Sequence, residues 1–128
     1  MRIEDHWNKA MRLEATRTGK LDTNEDYELV IWSCIHGGAH LANVVLHKMG
    51  ITDEGFDLIH SNIPEHNLKG PAPMAELLAT LKSIEDLGPR FVRGIELIDR
   101  TAVQGCLAAY EKVKGYAEAA LDRKGAAA

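Results

Sequence analysis

At 128 residues the chain suits one domain with a hydrophobic core that needs no disulfide or metal staple, and it argues against two. Its 45% apolar and 27% charged content is that of a soluble globular protein. With 15 Lys plus Arg against 19 Asp plus Glu, the formal charge of -4 excludes broad electrostatic binding to nucleic acid and leaves room only for a local basic patch.

The first expected helix covers roughly Ile3 to Arg17, with Ile3, Trp7, Ala10 and Met11 on one face and Gly19 as its stop. No signal-type apolar region occurs in MRIEDHWNKAMRLE, and no run of 18 or more apolar residues follows, so a cytoplasmic chain without a membrane span is expected. The second helix is read over Asn24 to Met49. Thr23-Asn24-Glu25-Asp26 offers a capping side chain and early acidic residues, and Gly50 offers the C-terminal signal. On this helix His36, His40 and His47 fall within about 40° of one another, flanked by Trp32, Ser33 and Asn43. Ile31, Cys34, Ile35, Leu41, Ala42, Val45, Leu46 and Met49 gather opposite, so the helix is expected to have a core face and a second, imidazole-bearing face. Gly37 and Gly38 together cost about 2 kcal/mol relative to alanine, which calls for a close approach or a bend.

Thr52 is expected to cap a short helix over Asp53 to His60, and Asn62 to Pro73 is read as the one long loop. A third helix carries Leu77, Leu78, Leu81, Ile84 and Leu87 until Gly88-Pro89 breaks or kinks it. Thr101 and Gln104 have capping-box spacing, so the fourth helix is started at Thr101, with Val103, Cys106, Leu107, Tyr110, Val113, Ala117 and Leu121 at helical spacing. The expected fold is all-α: an antiparallel up-and-down four-helix bundle in one domain, 1–123, with a frayed tail at 124–128. Helix 4 also has a second, small-residue face of Gly105, Ala108, Ala109, Lys112, Tyr116 and Ala119. With the second face of helix 2 it predicts a homodimer.

P-loop, dinucleotide-fold and zincin motifs are absent, and Cys34 and Cys106 sit on apolar faces without Cys-x-x-Cys spacing, as small core residues in a reducing compartment do. Nucleophilic catalysis is not expected. His36-Gly-Gly-Ala-His40 has the i, i+4 spacing with which two imidazoles reach one divalent metal. A third ligand would come from His47 with difficulty, or from His60, His66 or Asp57 if the following loop folds back. Arg90, Arg93 and Arg100, with Lys69 near, flank the start of helix 4, where guanidinium groups and unsatisfied N–H groups favour a phosphate or carboxylate.

The order of a short first helix, the long EDYELVIWSCIHGGAHLANVVLHKMGIT, the connection DLIHSNIPEH, a leucine-rich helix ending in GPRFVRG and a final CLAAYEKVKGYAEAAL resembles the HEPN family. That resemblance implies small, usually dimeric four-helix domains associated with nucleotide or RNA chemistry. Its nuclease members carry an Arg followed after four to six residues by His, and no histidine stands at that distance behind Arg90, Arg93 or Arg100. The leading expectation is therefore a dimeric binding or regulatory module for a nucleotide, RNA or other anionic ligand. In it Trp32, His36, His40, Asn43, His47, Arg90, Arg93 and Arg100 line a shared cleft. The alternative is an enzyme, either metal-dependent through His36 and His40 or a diverged ribonuclease.

Overall fold

The computed structural model describes residues 1–58, 72–97 and 99–122, and all regular structure among them is helical. Helix α1 spans Ile3–Lys20 and buries His6, Ala10 and Arg17, positions four and seven apart that share one side. It runs three residues past the expected end, because Gly19 is accommodated inside the last turn and Leu21, in extended conformation, stops it.

Helix α2, Tyr27–Lys48, begins three residues later than the sequence suggested. The acidic run before it builds a turn of its own. Asp22 accepts from the backbone N–H groups of Asn24 and Glu25 at 2.9 and 2.8 Å, and its own N–H donates to the Asp26 carboxylate at 2.8 Å. None of these side chains caps the helix. Gly50 does end it. With φ at 71° it places its N–H 3.1 Å from the His47 carbonyl and the Ile51 N–H 2.9 Å from that of Leu46, the paired bonds of a Schellman cap.

Fifteen of the 22 residues of α2 are buried, so the expected division into a core face and a free polar face is not observed. The helix is long and apolar enough to cross a membrane, yet 78% of that stretch is covered by the rest of the protein. Gly37 and Gly38 explain how neighbours come so close. A Cβ at Gly37 would lie 3.1 Å from the Tyr110 ring, and one at Gly38 would lie 3.3 Å from Leu81.

No helix forms over residues 53–58, and Thr52 is buried with its hydroxyl turned to His47 and not to a helix N-terminus. The rest of that expected helix, with His60, His66, Lys69 and most of the expected loop, lies outside the described residues. Helix α3, Ala72–Glu85, buries Met74, Leu77, Leu81 and Ile84. Gly88-Pro89 does not end the helical path but widens it into a π-turn, Gly88–Val92, closed by the Arg93 N–H on the Gly88 carbonyl at 2.9 Å, with Phe91 buried. Pro89 sits at the start of this turn, where its missing N–H leaves no bond unmade.

Helix α4, Arg100–Ala120, buries Val103, Cys106, Tyr110, Val113 and Ala117. Its cap is Asp99 and not Thr101. The Asp99 carboxylate accepts from the Thr101 N–H at 2.9 Å and the Ala102 N–H at 3.4 Å, so a side chain two residues before Thr101 does the work. The expected tail begins outside the described residues. Buried cation Arg17 ties three helices together: it donates to Ser33 at 3.2 Å and lies 4.2 Å from the centre of the Tyr110 ring. His6 meets His40 while Arg17 meets Ser33, so α1 runs against α2 and delivers its first turn to the C-terminal half of that helix.

Candidate metal centre

The C-terminal half of α2, the first turn of α1 and the segment after Thr52 converge on one carboxylate oxygen. His6 Nε2 and His47 Nε2 each stand 2.9 Å from Asp57 Oδ1. One ligand atom from each of the three lies within 4.8 Å of the others, and His6 and His47 are only 2% and 8% exposed. Ligand atoms sharing a tetrahedral zinc ion at about 2.0–2.1 Å stand roughly 3.3 Å apart, so a few tenths of an ångström of opening would admit a cation.

Each ligand is held from behind. Thr52 Oγ1 lies 2.8 Å from His47 Nδ1, which turns the Nε2 edge of that ring toward Asp57. His40 Nδ1 lies 2.9 Å from His6 Nδ1 and does the same for His6. Asp57 depends on Asn43. Buried Asn43 accepts from the Leu58 N–H at 2.9 Å and donates to the Leu58 carbonyl at 2.8 Å, and it donates also to the carbonyl of Ala39 within its own helix. This pair of bonds pins the chain to α2 one residue after Asp57, as a sheet partner would. The Met1 amino group adds contacts to the Asp57 carboxylate at 3.0 and 3.2 Å.

The electrostatics follow from this enclosure. Burial lowers His6 despite the hydrogen bond that it donates to Asp57, which acts to raise it. Burial, with the charges of His6, Lys9 and His36, lowers His40 to about 4. Burial works to raise Asp57, but hydrogen bonds from His6, His47 and the amino terminus outweigh it and hold the carboxyl below the usual range. At neutral pH the group thus comprises a carboxylate and neutral imidazoles at positions 6 and 40, the protonation states that ligate metals.

One side of the cluster opens into a cleft of about 310 Å³ lined by His6, His36, Ala39, His40, Asn43 and Asp57. The histidine stripe read from the sequence therefore divides. His40 and His47 turn toward α1 and the Asp57 segment, whereas His36 packs at a tilt against Trp32 with ring centres 4.1 Å apart. The arginines are engaged differently from one another. Arg90 makes a two-pronged pair with Glu96 at 3.0 and 3.2 Å, Arg100 is exposed in the first turn of α4, and Arg93 lines a second cleft beside Trp32. The helix N-terminus expected to hold an anion already holds the Asp99 carboxylate.

Sequence reasoning passed over His6, reading α1 by Ile3, Trp7, Ala10 and Met11. The signal available was that His6 shares the side of Ala10 and Arg17, a stripe with two charged or titratable members inside a core. Asp57 joins because the chain after Thr52 folds back onto α2. Comparison with protein-family models, curated proteins and solved structures finds no match for the chain.

Proposed function

We propose that the protein is a metal-dependent helical-bundle enzyme in which His6, His47 and Asp57 bind one divalent transition-metal ion, carried on an antiparallel up-and-down arrangement of the four helices. The observation that carries this reading is the meeting of two buried imidazole Nε2 atoms on one carboxylate oxygen, each ring fixed by a partner on its other nitrogen. Two imidazoles and one carboxylate suit zinc or iron(II), and three protein ligands leave a position open toward the cleft, as catalytic sites do. An ion held there would supply Lewis-acid polarisation of a water or a substrate oxygen, the basis of a hydrolytic reaction.

The residues around it have definite tasks. Ligation through Nε2 requires His6 and His47 to carry their protons on Nδ1. His47 then donates to the Thr52 hydroxyl and His6 donates to His40 Nδ1, which leaves the remaining His40 proton on Nε2. In this tautomer His40 supports His6 as an acceptor and is the nearest imidazole outside the ligand set to exchange protons with a molecule in the cleft.

Titration of chelator-treated protein with Co²⁺, followed by visible absorption, tests the ligand set. One equivalent should saturate the signal, and His6→Ala and His47→Ala should each abolish it. A featureless titration of the wild-type protein would overturn the reading. A second reading, self-association in the manner of HEPN-like domains, is favoured by Ile95 and Leu97, which are 97% and 83% exposed between the π-turn and α4. Sedimentation of the wild type and of Ile95→Ser/Leu97→Ser decides it: a dimer lost in the variant supports association there, and a monomeric wild type rejects it.

A further inference from the structure

We propose that the cleft beside Trp32 binds a small aromatic anion, with its ring on the Trp32 indole and its negative group at Arg93. The proposal requires no metal, so it stands apart from the centre at Asp57.

The cleft is about 210 Å³ and is lined by Trp32, Ile35, His36, Glu85, Gly88, Val92 and Arg93. That volume lies below the roughly 300–1,000 Å³ of sites for drug-sized molecules and fits a single ring system. Trp32 is 44% exposed although it sits in the most buried helix of the protein. Its contact with His36, ring planes tilted by 43°, restrains the indole, so less ordering is left to be done on binding. Ile35 and Val92 make the remainder of the wall apolar.

The charge that completes the site comes from the π-turn, a distortion often found where helices serve binding. Two glycines fix its position. A Cβ at Gly88 would lie 3.3 Å from Ile35, so the absent side chain lets the turn settle onto α2. A Cβ at Gly94 would lie 2.5 and 2.6 Å from the carbonyl oxygens of Pro89 and Arg90, a clash with backbone that no side-chain movement relieves. Position 94 therefore admits only glycine, and Arg93 is held at the rim of the cleft. Arg90 in the same turn is paired with Glu96, whereas Arg93 has no ion-pair partner among the described residues. A guanidinium beside an apolar floor and an indole face selects an anion attached to a flat ring.

Calorimetric titration with indole-3-acetate tests this, with tryptamine as the same ring carrying the opposite charge. One site is expected for indole-3-acetate, weakened at least tenfold by Arg93→Gln and by Trp32→Ala, with tryptamine binding at least tenfold more weakly to the wild type. Circular dichroism establishes that the variants fold, which the exposure of both side chains favours. Asp57→Asn should bind indole-3-acetate like the wild type, so loss of the metal centre and loss of this site are distinguishable. No binding of indole-3-acetate, tighter binding of tryptamine, or binding indifferent to Trp32→Ala would each overturn the proposal.

Discussion

Asn43 is the residue on which the candidate centre turns, although its hydrogen bonds go to Ala39 and Leu58 and not to either imidazole ligand. Its amide satisfies both backbone groups of Leu58 in a buried setting, so Asn43→Leu leaves a donor and an acceptor without partners. At about 1–3 kcal/mol for each unsatisfied group, a loss of at least 2 kcal/mol in urea unfolding is expected. Thr52→Val is gentler in shape but removes the oxygen 2.8 Å from His47 Nδ1. It should weaken metal binding by about 10- to 100-fold while the fold persists, as competition with a chromogenic chelator would show. The histidines also set a pH response in the metal-free protein. Folded His6 lies below its ordinary value of about 6.5 and His40 falls to about 4, so the unfolded chain takes up protons first. Their contribution to stability is whole above about pH 6.5 and is lost as the pH falls toward 4. Asp57, lowered in the fold, contributes above about pH 3.8 and loses its share only below that. Urea midpoints should therefore fall between pH 7.5 and 4.5, and His40→Gln should reduce the slope. A midpoint unchanged across that range would contradict the burial of these rings.

Among the helices, the glycines separate two physical roles that sequence alone merges. Gly37 faces Tyr110 at 3.1 Å, and Tyr110 is fully buried under Arg17, so the ring has no free direction in which to yield. Gly37→Ala should cost about 1–3 kcal/mol through overpacking, despite alanine's better helix propensity. Gly105 and Gly115 in α4 have open space where a Cβ would go, and Gly105→Ala and Gly115→Ala should each stabilise by about 0.5–1 kcal/mol. Thermal denaturation of the three variants checks both signs. The close approach at Gly37-Gly38 was legible because two glycines inside an apolar helix demand a reason. The Schellman cap at Gly50 was legible for a similar cause, since Gly follows the last helical residues. Other boundaries were not. Asp22 and Asp26 satisfy each other's turn, and Asp99 takes the cap that Thr101 and Gln104 seemed to offer, choices that rest on competition among neighbouring polar side chains. His6 escaped notice because helical period shows which residues share a side, but not which side of another helix they will meet.

At the scale of the molecule, the polar cluster forms only when three distant stretches of chain are assembled: residue 6, residues 40–47 and residues 52–58. A ligand that binds this assembly and not the unfolded chain must stabilise the fold. At a free zinc concentration 100 times its dissociation constant the gain is about 2.7 kcal/mol, or roughly 10 °C in melting temperature for a domain of this size. Sequence spacing pointed to His36 and His40 as a ligand pair, but spacing within one helix says nothing of what α1 brings from outside. The histidine on α2 that meets Asp57 is His47, at the far end of the stripe, because the Asn43–Leu58 bonds set the returning chain there. Isothermal titration of chelator-stripped protein with Zn²⁺, comparing the wild type with Asp57→Asn and His6→Gln, is the most direct measurement. One zinc per chain is expected for the wild type, with affinity reduced at least 100-fold in either variant. Absence of zinc binding by the wild type, or equal binding by all three proteins, would contradict a metal centre at His6, His47 and Asp57.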